Sequence, residues 1–349
     1  MISLFKYLSL ASAFSLVGIL TSLAFLLPEV EGYFQESGMK LKRILLPISA
    51  IWALSSTGVF LSELAVIVNT PLLEIFSGNL IQSFALQVIL GKLLLINIFS
   101  ALILLIFVPT IKRTGGALGL LIITLLGLLA PYLENHSSSS GHHMLAIGLV
   151  LVHVLALSLW IGGLIALALI AKEERKFAAI RFHSIALWSL LAVALSGVVN
   201  GWVRLGTIAN ITSNYGAILV AKTLLLALIF MVAFTFRARQ RNNFDDGVLS
   251  RQLGIEGVLF GITMVFAVVL SRIAPPEVSL TTPINPILGS TMPQSPTFSR
   301  LLLGYEPNGF FLALLILAVA LYIKGVVLLT RRGDKWPVHR TIFFALGIS

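Results

Sequence analysis

Six side chains in this 349-residue sequence have the type and placement to hold a soft or borderline metal ion. His136, His142, His143 and Met144 stand together in "HSSSSGHHM" just ahead of a long apolar run, His153 lies inside that run, and Met264 lies inside a later one. Imidazole nitrogen suits copper, zinc, iron and nickel, whereas thioether sulfur favours Cu(I). The chain has no cysteine, so thiolate ligands, disulfides and dithiol redox motifs are excluded, and the mixture of His and Met leans to copper. No lysine or arginine stands in the outer His loop to repel a cation. Each group also has an ordinary reading: a solvated polar loop, a histidine bonded to a neighbouring helix, a methionine that packs.

The elements that must position these groups are membrane helices. Of the residues, 58% are hydrophobic and 11% charged, with a mean hydropathy of +1.00, outside the range of soluble domains. A hydrocarbon core of roughly 30 Å needs about 20 apolar residues per helical span. Because lipid offers the backbone no hydrogen-bond partner, helices are expected. Nine such stretches occur, at about 3–27, 44–68, 86–110, 116–133, 144–171, 184–203, 216–236, 253–271 and 309–330, and a truncated tenth begins at Thr341. The expected fold is an all-α polytopic bundle. Residues 1–27 read as a retained first helix, since the apolar stretch is long and has no small-x-small cleavage site before Pro28.

The net charge of +10 is spread through short loops and forms neither a stripe nor an arm, so a nucleic-acid partner is not expected. One alternate set of loops holds 17 Lys and Arg: Lys40, Lys42 and Arg43; Lys112 and Arg113; Lys172, Arg175, Lys176 and Arg181; Arg237, Arg239, Arg241 and Arg251; Arg331, Arg332, Lys335 and Arg340. The opposite set holds Lys6, Arg204, Arg272 and Arg300. By the positive-inside rule the N-terminus is then outside.

Within this frame the fifth span descends from outside at Met144 and brings His153 roughly 13 Å down, near mid-bilayer. At about 100° per residue, His142, Ala146, Leu149, His153, Leu157, Trp160 and Leu164 share one face. An ionisable group in a span is a functional candidate by default. Met264, in the eighth span, reaches a comparable depth. The inner half offers only Met231 and His183 as further ligands, and His183 and His339 sit at the inner interface. "WIGG", Trp160 to Gly163, lets another helix backbone approach closely. Lys92 and Lys222 lie about six residues below the outer surface, where their stems can snorkel; Glu63 is an alternative ion-pair partner. Glu256 reads as a carboxylate near a helix N-terminus.

"QVILGKLLLINIF" and "AILVAKTLLLALIF" match around Lys92 and Lys222, and "WALSSTGVF" matches "LLAVALSGVV" loosely, as a duplication of helices one to four in five to eight would produce. Between spans eight and nine, Pro275, Pro276, Pro283, Pro286, Pro293, Pro296 and Pro307 deny continuous helix and predict an external connector. The expected domains are an eight-helix unit, 1–272, the connector, 273–308, and a helical segment, 309–349. No nucleotide-binding motif is present, and no nucleophile or paired-carboxylate arrangement stands at useful depth. An enzyme is not expected.

"HVLALSLWIGG" (His153, Trp160, Gly162, Gly163), "RFHSIALWSLLAVALSGVVNG" (Phe182, Ser196, Gly197), "NYGAILVAKTLLL" (Tyr215, Gly216, Lys222) and "IEGVLFGITMVFAVVL" (Glu256, Gly257) together resemble the copper resistance protein D (CopD) family over about residues 144–272. Tyr322, Gly325, Arg331, Arg332, Gly333, Trp336 and Arg340 carry a likeness to the opening of a caa3-type CtaG cytochrome c oxidase assembly factor, here truncated. The resemblance implies a multi-pass protein of a bacterial plasma membrane that moves copper, as uptake, in copper homeostasis or resistance. His136, His142, His143 and Met144 would collect the ion, and His153, with Met264, would hold it inside the bundle. Copper would be the transported ion, and an external copper-binding protein and an oxidase or its assembly subunit would be partners. A non-transporting copper-delivery or oxidase-assembly partner is the alternative. A b-type cytochrome needs two histidines at depth, and only His153 qualifies.

Overall fold

The computed structural model describes residues 2–76, 78–134, 143–205, 208–240, 244–271 and 273. Within them the chain runs α1 (Ile2–Thr21), a two-residue antiparallel pairing of Glu29–Val30 with Tyr33–Phe34, α2 (Glu36–Val68), α3 (Leu80–Gln87), α4 (Ile89–Phe107), α5 (Thr114–Leu129), α6 (His143–Leu169), α7 (Lys172–Leu205), α8 (Asn214–Gln240) and α9 (Asp246–Leu270). Among the described residues eight helices are long and apolar enough to cross a membrane: all of these except the eight-residue α3. The fold is an all-α polytopic bundle, and the first eight expected spans are all present. The ninth and tenth spans, the proline-rich connector and the CtaG-like segment lie outside the described residues.

Helix ends depart from the apolar windows for a physical reason. Polar residues at a span's end cost little outside the hydrocarbon, so helix α2 starts at Glu36 rather than 44, α7 at Lys172 rather than 184, and α9 at Asp246 rather than 253. Asp245 caps α9, its carboxylate accepting from the Gly247 and Val248 amides. The third span is broken. Val88 is extended (φ −93°, ψ 129°) and separates α3 from α4.

Helix α1 is central, packing against α2, α5 and α6, and its buried Phe14, Leu16, Val17, Ile19 and Leu20 belong to the main apolar core. It meets α6 through glycines: a Cβ on Gly162 would lie 2.9 Å from Gly18 Cα and 2.7 Å from its nitrogen. Side chains there would force the helices apart, as the small pair in "WIGG" predicts. A Cβ on the next residue, Gly163, would strike the Phe182 ring of α7 at 2.8 Å or closer.

Two ends of the bundle are tied by different chemistry. Several of the loops rich in Lys and Arg meet at one end. Lys42 Nζ donates to Pro109 O at 2.7 Å, Arg113 bonds the Tyr33 hydroxyl, and Arg181 donates to Phe25 O at 3.2 Å. Arg175, 8% exposed, donates to Ile170 O at 2.9 Å, to Ser250 Oγ at 3.0 Å and to Asp246, N to O 3.0 Å, so α6, α7 and α9 are joined where they begin or end. At the other end, Lys6 Nζ donates to Ser271 Oγ at 3.1 Å, linking α1 to α9.

Candidate metal centre

Within the described part of the α6 stripe, Trp160 and His153 both meet neighbouring helices. Trp160, fully buried, packs edge-on against Phe260 of α9 (centroids 4.7 Å, 87°) and tilted against Phe230 of α8 (5.9 Å). Two turns towards the end that lacks the basic loops, His153 is half-buried against α7. Its Nδ1 lies 3.0 Å from Ser196 Oγ. Ser196 is 2% exposed and its hydroxyl donates to the Ala192 carbonyl one turn back. The pair can join in two ways, Nδ1–H donating to Oγ or Oγ–H donating to Nδ1, according to the ring's tautomer. The Val193 backbone also bonds the ring. Gly197 makes room: a Cβ there would sit 3.2 Å from His153 Cε1.

Serine thus holds the orientation of the imidazole, as outer partners do for metal-ligating histidines. One imidazole is not a cage. Among the described residues no group of three or more His, Cys, Asp or Glu is placed to hold a metal. Met264 is half-buried and packs against the main apolar core. Taking the Trp160–Phe260 contact as the register of the antiparallel α6 and α9, Met264 is level with residue 156, about 4–5 Å along the axis from His153. His136 and His142 lie outside the described residues. His143 and Met144 open α6, but their side chains are outside the described part. Met231 and His183 are exposed, and His339 lies outside the described residues.

Lys222 of α8 acts on His153 electrostatically, and Arg204 of α7 acts on Lys222 in turn. Arg204 Nε donates to Asn200 Oδ1 at 3.2 Å, which turns the guanidinium back along α7 towards the level of Lys222. Tyr215, 3% exposed, bonds Arg204 from the start of α8. Residue type alone gave Asn200, Arg204 and Tyr215 no part in a metal site. The signal that could have found them is spacing: Ser196, Asn200 and Arg204 fall at i, i+4 and i+8 on one face of α7, as Tyr215 and Lys222 do at i and i+7 on α8. Lys92, by contrast, is exposed on α4.

Residues 176–270 match the family model of copper resistance protein D. The match runs from the first turns of α7 to the end of α9, so it contains Ser196, Gly197, Lys222, Glu256 and Met264, but not His153 or the rest of α6. It ends before the connector and lends nothing to the C-terminal likeness. Comparison with curated proteins and with solved structures finds no match.

Glu256 corrects one expectation. Since α9 begins at Asp246, Glu256 lies ten residues along, well beyond the reach of the helix N-terminus. It is 1% exposed, and its Oε1 accepts from Gln252 Nε2 at 2.6 Å. The inner half, where only Met231 and His183 were expected as ligands, therefore holds a buried carboxylate and an amide one turn apart.

Proposed function

We propose that the protein binds copper within a bacterial plasma membrane and moves it inward, with His153 as the station in the span. The observation that carries this reading is the Ser196–His153 hydrogen bond, which orients the ring inside the span; with Nδ1 donating to the serine, Nε2 would be the nitrogen that ligates copper. The match of the three helices that follow α6 to copper resistance protein D supports copper as the ion. A single imidazole aided by the Met264 thioether would bind Cu(I) weakly and exchangeably, as passage requires. His136, His142, His143 and Met144 would collect the ion outside, and Glu256 with Gln252 would receive it on the inner side. Copper uptake by cells expressing wild type and His153→Ala at matched membrane levels tests this reading. A copper-selective loss, with zinc and nickel unaffected, is expected.

One observation favours a second reading. Lys222 acts on His153 electrostatically, and a like charge in a weakly screened span opposes the transit of a bare cation. A protein that presents copper to an oxidase or its assembly subunit, without carrying it across, does not face that barrier. Deletion that lowers oxidase activity while cellular copper stays constant would favour delivery over transport.

A further inference from the structure

Lys222 is a charge without a visible counter-charge. It lies eight residues into α8 and is half-buried. The groups that act on it include Arg204, itself a cation. No carboxylate pairs with it among the described residues. An ammonium in an apolar span is costly unless an opposite charge or water accompanies it.

Helical register puts the other donors within reach. Helix α7 ends at Leu205 and α8 starts at Asn214, so Lys222 is level with Gly197, and Arg204 approaches that layer through its bond to Asn200. The Tyr215 hydroxyl adds a third donor group. The seam is thin, because α7 packs chiefly on α6 and α8 chiefly on α9. Val198 and Trp202 on α7, and Val220 and Leu224 on α8, are exposed, with relative accessibilities from 40% to 69%. The approach to the seam is therefore bordered by lipid-facing side chains.

We propose that Arg204, Lys222 and Tyr215 form a binding site for a phosphate group between α7 and α8. A guanidinium, an ammonium and a phenol together offer more donors than one carboxylate can accept, whereas a tetrahedral phosphate has oxygens for all three. The phosphate belongs either to an outer-leaflet lipid headgroup or to a soluble anion. Bound there, it neutralises the field that Lys222 casts on His153.

The test uses the full chain, purified in detergent, delipidated and with copper chelated, so that its outcome is independent of the copper reading. The melting temperature is followed against inorganic phosphate at constant ionic strength, and separately against phosphatidylglycerol, with a phosphate-free glycolipid as control. A saturable rise of about 3–6 °C is expected near saturation. The rise should be lost in Lys222→Met and kept in Lys92→Met. Protection by inorganic phosphate assigns the site to a soluble anion, and protection by phosphatidylglycerol alone assigns it to a lipid; either supports the proposal. If Lys222→Met does not accumulate, Arg204→Gln replaces it. A wild type that neither probe stabilises, or a rise unchanged in these variants, overturns it.

Discussion

His153 Nδ1 and Ser196 Oγ stand 3.0 Å apart across the α6–α7 interface. The contact fixes how the ring lies against α7. Ser196→Ala removes the hydroxyl partner and frees the ring to rotate. Copper affinity, measured by competition with a Cu(I) chelator, should fall about 10–100-fold, the range seen when an outer partner of a metal-ligating histidine is lost. The melting temperature should barely move.

Gly197 sets the ring's place. The Cβ of Gly197→Ala would meet Cε1 at 3.2 Å, a tight contact that a small ring movement relieves, while the branched side chain of Gly197→Val would displace the imidazole. Copper affinity should therefore decline in the order glycine, alanine, valine, and the same titration measures it.

The glycine crossing of α1 and α6 makes a stability prediction with its own control. Gly162→Ala places a methyl against the Gly18 backbone and should destabilise the protein by about 1–3 kcal/mol, as overpacking does. A Cβ added at Gly254 or Gly257 of α9 would meet nothing within 4 Å, so alanine there should be neutral or stabilise by up to about 1 kcal/mol through helix propensity. Thermal unfolding of the three variants in one detergent separates the cases.

Arg175 and Asp246 supply a further test. Their side chains are 10% and 25% exposed, and Asp246→Ala leaves a largely buried guanidinium without its carboxylate. The loss should be about 3 kcal/mol, visible as a lower melting temperature. Removing both charges in Arg175→Met with Asp246→Leu should recover part of it.

Much of the bundle was legible in the sequence because the bilayer imposes a length: among the described residues eight apolar runs became eight long helices. Their ends were less legible, since the polar first turns of α2, α7 and α9 continue a helix that hydropathy alone does not report. The break at Val88 was hidden because both sides are apolar. For the site, the depth of His153 and the close packing of Gly162 followed from spacing within one helix. Which helix His153 faces did not, because neighbour relations between spans are not written in periodicity. Ser196 was visible as part of a repeat and of a family likeness but not as a partner of His153, and the nearness of Lys222 to His153 required the fold. Glu256 was misplaced for the same reason that the start of α9 was.

The central claim is that His153 handles copper inside the span. Its most direct test is copper content and uptake in cells expressing wild type and His153→Ala at equal membrane levels, with zinc and nickel measured alongside. A fall in copper alone is the result the account predicts. Equal copper handling by both proteins would contradict it and leave His153 as a packing residue bonded to Ser196.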